Sequence, residues 1–457
     1  MFDVIIVGAG PAGLFAAQEF SNSNLRVMVI DQGKPPQKRT CSPKNNRCND
    51  CNPCSIMSGI GGAGGFSDGK LNLSLYTALF VPFTKNKKEA KQVMQKIISS
   101  FEEFDTQNNY VFPSKEQINK IKKLAETVQI KYLPIMQKHI GSDQIRIIFS
   151  KFYENLAKKG INFTLNKKVD SFIVKNNKVL GVKIGEQEIK SKFVLACPGR
   201  AGSQWFFDAG KKEGVKFKPI NLDFGVRVEA KNNVFENITK INYDPKFFVK
   251  TETGTIRTFC TNPSGFVVME NNMNIVCVNG HAFREKKSKN TNVALLYRKK
   301  SPSVSETIKH YNHFKSLPYF QKKTPIIQRL GDLKKQEITT KEKIKNNSVK
   351  PTLNTFSFGD INLIYPKQVI EDIINAIKKL NNVFPGLNEN DTIVYAPEIK
   401  FYSLKTIVKK NLETNVENLF AAGDGAGLTR CIISASGTGI IAARRIIEKS
   451  KKTLKTT

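Results

Sequence analysis

The sequence predicts an α/β protein: a parallel sheet assembled from both ends of the chain, with a strand-rich unit inserted between them. Three observations predict it. A glycine-rich turn joins a buried strand to a helix at the N-terminus. A second strand runs into a Gly-Asp turn near the C-terminus. A third, Phe193-Val194-Leu195-Ala196, ends between them in the loop Cys197-Pro198-Gly199-Arg200.

Val4 to Val7 is a continuous apolar run, the pattern of a parallel strand covered on both faces. It enters Gly8-Ala9-Gly10-Pro11-Ala12-Gly13, and Leu14 to Phe20 reads as a helix. Gly8 suits the tight turn, Gly10 admits a phosphate to the backbone, and Gly13 lets the helix approach the strand. The helix start offers free N–H groups and a positive dipole end to a pyrophosphate, with Pro11 and Ala12 on its first turn. A second buried strand, Arg26 to Ile30, ends at Asp31, 18 positions after Gly13, where an acid meets a ribose hydroxyl. Strand, turn, helix and acid together predict a Rossmann-like dinucleotide-binding domain.

Which dinucleotide it holds is read at the other end. Asn418 to Ala422 is a strand entering Gly423-Asp424-Gly425-Ala426-Gly427, with a helix from Thr429 or Ile432 to about Lys449. This resembles the second flavin motif of two-dinucleotide-binding-domain flavoproteins. The resemblance implies FAD, with Asp424 on a ribityl hydroxyl and the helix start aimed at the flavin edge that gains charge on reduction. The loop at Gly199 resembles the return of the chain to the FAD domain. Arg430 is a candidate cation beside reduced flavin. No second GxGxxG follows a buried strand, so NAD(P)H is expected only as a transient donor, or electrons come from elsewhere.

Residues 41–72 are the most unusual stretch. Cys41, Cys48, Cys51 and Cys54 fall within 14 residues. The last three have the CxxCxxC spacing of iron–sulfur ligand runs, and with Cys41 they are candidates for a cluster or Zn²⁺. A dithiol exchanging electrons with flavin is the alternative, and plain structural thiols a third. The glycines of Ser58 to Asn72, Gly62 and Gly64 among them, suit a backbone wrapped against a flat cofactor. Lys70 beside them is a candidate contact to flavin or substrate.

The stretch Gly61-Gly62-Ala63-Gly64-Gly65-Phe66-Ser67-Asp68-Gly69-Lys70-Leu71-Asn72 resembles the signature of the uncharacterised FAD-dependent dehydrogenases of bacteria and archaea. So do Lys138 to Asp143, Gly225 to Glu229, Arg257 to Cys260, Gly265 to Val268, Asn279 to His281, Gln328 to Leu333 and Gly423 to Gly427. The likeness implies FAD and redox chemistry without an agreed substrate. Longer relatives carry an extra N-terminal domain, expected to be lacking here because the first strand starts at residue 2.

The expected layout is an FAD-binding domain in three parts, residues 1–75, 136–214 and 351–457. A helical, Lys-rich surface insertion covers 76–135, and a strand-rich substrate domain covers 215–350. Within the latter, Cys260 and His281 are candidate acid/base groups, and Arg227 and Arg257 candidate clamps for a carboxylate or phosphate. The lysines around 285–350 are expected on solvated surface.

Composition bounds the remaining possibilities. At 457 residues the chain suits two or three domains. The formal charge of +33 invites a nucleic-acid partner, but of 72 basic residues only 13 are Arg, the better base and phosphate reader, and the lysines are scattered. A small-molecule substrate, and a redox partner protein, fit better than nucleic acid. No membrane span or secretory signal is visible, so a cytoplasmic FAD-dependent oxidoreductase with reduced thiols is expected.

Overall fold

The computed structural model describes residues 1–41, 48–49, 51–107, 110–272, 275–317, 324–400 and 404–456, and two sheets dominate it. The first is built around Phe2–Val7, which pairs in parallel with Val27–Asp31 on one side and Gln187–Ala196 on the other. Ile6 stands opposite both Val29 and Leu195. Asn162–Leu165 and Leu419–Ala421 extend the parallel array at its two edges. The hairpin of Ser171–Lys175 and Lys178–Ile184 pairs antiparallel with the start of Gln187–Ala196. Helices Pro11–Phe20 and Ile432–Thr456, from opposite ends of the chain, pack on each other. A Cβ on Gly439 would stand 2.0 Å from the Ala12 carbonyl oxygen, so this contact exists only between bare backbones.

The second sheet has eight strands in the order Ser357–Phe358, Ile326–Arg329, Ile393–Lys400, Leu222–Lys231, Asn290–Lys299, Thr255–Asn262, Lys246–Lys250, Ile130–Leu133. Side chains alternate across a strand, and here the two faces differ sharply. Leu222, Phe224, Val226, Val228 and Ala230 enter an apolar core with Val369, Ile370, Ile373, Ala376 and Ile377 of helix Lys367–Leu380. Asp223, Arg227 and Glu229 of the same strand point the other way and are buried too. A ribbon, Phe266–Asn272 with Ile275–His281, and a small sheet of Lys70–Asn72, Gln137–His139 and Tyr110–Val111 complete the structure around that polar face.

Several expectations are corrected. The second sheet does not stop at residue 350: Ile393–Lys400 lies beside Leu222–Lys231 near its centre, and the chain regains the first sheet only at Leu419. Nor is 76–135 a surface insertion. Ala90, Val93, Met94, Ile97 and Phe101 of helix Lys87–Glu102 follow a helical stripe into the core of the first sheet, while Ile121, Ala125, Ile130 and Tyr132 enter that of the second. Within the Lys-rich 285–350 region, Asn290–Lys299 is a buried strand between two others, its lysines confined to one end. Residues 42–47 and 50 of the cysteine segment lie outside the described residues. Among the described residues no helix is long and apolar enough to cross a membrane.

Candidate active site

A cavity of about 1290 Å³ opens between the C-terminal ends of the parallel strands and the polar face of the second sheet. Ligand sites of open α/β sheets lie in this position. Its first wall is the N-terminal turn. Gly8 has φ +108°, and a Cβ there would stand 2.1 Å from the Cys197 carbonyl oxygen. A Cβ on Gly13 would stand 1.9 Å from the Gly8 carbonyl oxygen, so Gly13 serves helix–strand packing and does not line the cavity. Gly10 differs: a Cβ there would meet only the Gly62 Cα, at an ordinary 3.9 Å, and Gly10 lines the cavity with Pro11 and Ala12. The first helix has no side-chain cap at Gly10. Its leading N–H groups therefore remain available to an anion.

Asp31 ends the second strand at the cavity wall, but its carboxylate is already in use. Oδ2 accepts from Ala9 N at 2.7 Å, and Oδ1 from Gly33 N at 2.7 Å and Gly59 N at 2.8 Å. It ties the dinucleotide turn to the glycine loop, a wider role than ribose contact. Across the cavity stand Gly199, Gly423 and Asp424. Gly423 has φ +80°, a conformation glycine tolerates best. Burial pushes the Asp424 carboxyl up, opposed by a hydrogen bond from Thr429. Gly427 instead packs against Leu404 and Lys405 and does not line the cavity.

The glycine loop closes the floor. A Cβ on Gly62 would lie 3.1 Å from the Gly10 Cα, and one on Gly64 2.8 Å from Pro11 Cγ. These glycines thus let two loops press backbone to backbone, besides facing the cavity. Arg39, only 1% exposed, holds the loop from behind. Its guanidinium donates to the carbonyls of Ser55 (3.0 Å), Ile56 (2.7 Å), Gly62 (2.8 Å) and Ile60. Burial lowers its pKa to about 10, which still leaves it charged. Sequence reasoning missed Arg39, since nothing in its neighbourhood marks it as a clamp.

Cys51 and Cys54 line the cavity, and Cys48 accepts a hydrogen bond from Asn271 Nδ2 at 3.3 Å. All four cysteines are free thiols. Burial, and then the neighbouring thiols, push Cys41 up; burial does the same to Cys54. Among the described residues no group of three or more His, Cys, Asp or Glu stands where it could hold a metal ion. The four thiols nevertheless stand near enough for their charges to raise the pKa of Cys41 and Cys54, the neighbourhood that the CxxCxxC spacing predicts.

On the second-sheet side, Asp68, Lys70, Asp244 and Cys260 meet at the cavity. Lys70 Nζ lies 2.8 Å from Asp68, 3.4 Å from Asp244 and 2.6 Å from the Thr261 carbonyl oxygen. Burial opposes its charge, but the two carboxylates outweigh that and raise its pKa. It is a fixed cation on the cavity wall, where the sequence expected a contact to flavin or substrate. Cys260 sits at an irregularity in the pairing of Thr255–Asn262, with φ +52°, a strained value for a non-glycine residue. Its thiol donates to Asp68 Oδ2 at 3.3 Å, and burial raises its pKa to about 11.

Other predicted residues fall elsewhere. His281 lies against Phe283, 6.2 Å between ring centres, and does not line the cavity. Arg227 is wholly buried, its Nε 2.9 Å from Glu398 Oε2, so it organises the sheet rather than clamping a ligand. Arg257 stands behind the cavity wall on Asp223, at 2.9 Å. Arg430 does line the cavity and pairs with the same Asp223. His139, overlooked in the sequence, stacks on Tyr243 at 4.4 Å, and burial lowers its pKa to about 4.

Comparisons with known proteins agree with this geometry. Residues 3–40 match the family described as FAD binding domain, and residues 222–400 the one described as FAD-dependent protein, C-terminal domain-like. The second range coincides with the second sheet up to Lys400. A Clostridium beijerinckii protein described only as uncharacterized is 24% identical, over 97% of this chain and 80% of its own. A 48-residue stretch is 42% identical to the Escherichia coli ribosomal RNA dihydrouridine synthase, covering 10% of this chain and 12% of that one. Among solved structures, Bacillus cereus glycine oxidase is similar with a TM-score of 0.41 at 12% identity, covering 98% of each chain. An E. coli quinol fumarate reductase chain gives 0.42 at 11%, covering 100% of this chain and 74% of that one. Both matched families are described by FAD, one at the dinucleotide turn and one over most of the second sheet.

Proposed function

We propose that this chain is an oxidoreductase that moves a hydride or electron pair between bound FAD and a small organic substrate held against the charged face of the second sheet. One observation supports it above the rest: a single cavity joins the Gly8–Ala12 turn and Asp424 to Asp68, Lys70 and Cys260. The cavity-lining backbone of Gly10 and the uncapped helix start fit a pyrophosphate, with Asp31 and Asp424 on its two flanks. FAD supplies reversible hydride transfer, which no side chain offers.

The protein's own part is binding, orientation and proton handling. With a pKa near 11 the Cys260 thiol is protonated at neutral pH, and from the cavity wall it gives a proton to substrate or takes one back. Lys70 keeps Asp68 ionised, so Asp68 remains an acceptor for that thiol. NAD(P)H serves as a transient donor, or a redox partner protein takes that place, in the cytosol.

A second reading has one specific observation behind it: Cys51 and Cys54 face the same cavity. There they would form a dithiol that exchanges electrons with the flavin. Anaerobic reductive titration of the purified, FAD-loaded protein separates the readings. The main reading expects two flavin absorption bands that bleach with two electrons per chain. Four electrons, falling to two in Cys51→Ser, support the dithiol. A protein with no flavin bands after loading with FAD overturns both.

A further inference from the structure

The charged groups on the polar face of the second sheet do not balance. Asp223, fully buried, is shared by three guanidiniums: Arg257 at 2.9 Å, Arg298 at 2.8 Å and Arg430. Glu398, also fully buried, takes both Arg227 at 2.9 Å and Lys400 at 2.8 Å. Asp244 takes Lys246 at 2.5 Å and Lys70 at 3.4 Å, and Lys70 has Asp68 besides. Seven cations thus face these four carboxylates, Arg298 being half-exposed. Adding the Arg200–Glu270 pair, Asp424 and Glu229 gives eight cations against seven carboxylates among the described residues. Unbalanced charge inside a protein is costly, since burial strips its hydration. Such an excess persists where a ligand of opposite sign completes the balance.

The excess is concentrated at one place. Lys246, Lys400 and Arg430 line the cavity, and Phe259 lies among them. Its ring centre is 5.5 Å from Lys246 Nζ, 6.0 Å from Lys400 Nζ and 4.8 Å from the Arg257 guanidinium carbon. Leu222 adds apolar surface to the same wall. An aromatic face bordered by partly desolvated cations suits a molecule with a flat apolar body and a carboxylate at its edge.

We propose that this wall is the substrate subsite and that the substrate is a small carboxylate with a planar, unsaturated or aromatic body. The body lies along Phe259, and the carboxylate is held by Lys246, Lys400 and Arg430. This deepens the flavin reading of the cavity and rests on it. Cys260, next to Phe259 in sequence and on the same cavity, then stands beside the bound molecule rather than behind it.

The test is ligand titration of the FAD-loaded protein, followed both by the flavin spectrum and by calorimetry. The probe is benzoate, with benzamide as its neutral counterpart of the same shape. Benzoate is expected to bind saturably, at least tenfold tighter than benzamide, and to perturb the flavin bands. Lys400→Met and, independently, Lys246→Met should each weaken benzoate by about tenfold, leave benzamide and FAD content unchanged, and Lys400→Arg should restore most of the loss. Equal binding of the two probes, or no binding of either to flavin-loaded protein, overturns the carboxylate subsite while leaving the flavin reading intact. Failure to load FAD at all removes the flavin reading, and this proposal with it. If Lys400→Met does not fold, Lys246→Met decides alone.

Discussion

The two sheets bury similar strands for opposite purposes. Phe2–Val7 of the first is apolar on both faces, and its ligand wall consists of backbone: glycines, a helix start and one strand end. Leu222–Lys231 of the second is as deeply buried, yet every alternate residue from Asp223 to Glu229 except Gly225 carries charge. Its cavity wall is made of side chains drawn from four of its strands. The difference teaches how the work is divided. A nucleotide is held by bare backbone and dipoles, which any glycine-rich turn at a helix start supplies. A substrate is selected by charges that must first be paired, or left in excess, inside the fold.

Breaking the first region should have the largest effect. Gly13→Val places a Cβ 1.9 Å from the Gly8 oxygen. We expect loss of bound FAD together with destabilisation of about 3 kcal/mol or more, read from flavin absorbance and urea unfolding.

In the second region the comparable change is electrostatic. Arg227→Met leaves Glu398 with Lys400 as its remaining partner in a dry interior, and should cost about 3 kcal/mol. Pairing it with Glu398→Leu should recover part of that loss. If the double variant is no more stable than the single, the charged face is not what organises this sheet.

A smaller effect belongs to His139, whose folded pKa of about 4 lies below its ordinary value near 6.5. Between those values the unfolded chain takes up a proton that the folded protein refuses, so stability falls as pH is lowered. His139→Phe keeps the stack on Tyr243 and should make the acid slope of the urea midpoint shallower, by up to one proton. An unchanged slope would show that the imidazole is not held neutral.

The smallest expected signal is chemical. At pH 8 iodoacetamide should modify exposed Cys51 and spare Cys260, whose thiol begins to ionise only as the pH approaches 11. Peptide mass spectrometry over a pH series reads both residues at once.

This division also explains what the sequence disclosed. Gly8, Gly10, Asp31, Gly423 and Asp424 were legible because each element binds its ligand through contiguous backbone, and spacing along the chain is spacing in space. Lys70 was legible beside the glycine loop, but not its fixing, because the Asp244 that pairs with it lies 174 positions away in the sequence. Arg39 left no pattern, and His139, though inside the Lys138–Asp143 stretch, was not singled out, since their roles depend on a loop and a stacking partner that only folding brings near. The end of the second domain was missed because Ile393–Lys400 reads as an isolated buried strand, and nothing local tells which sheet will receive it. The cysteine spacing did disclose a neighbourhood, since the four thiols stand near enough for their charges to raise the pKa of Cys41 and Cys54.

Flavin content per chain, compared between the wild-type protein and Gly10→Val, tests the central claim most directly. A Cβ on Gly10 would meet the Gly62 Cα at an ordinary 3.9 Å, where one on Gly13 would stand 1.9 Å from backbone. The account predicts one FAD per wild-type chain. It predicts a Gly10→Val protein with unchanged thermal stability and FAD binding weakened about a hundredfold, by a side chain standing where the pyrophosphate belongs. Wild-type protein that takes up no FAD, or a Gly10→Val variant that binds it equally well, would contradict it.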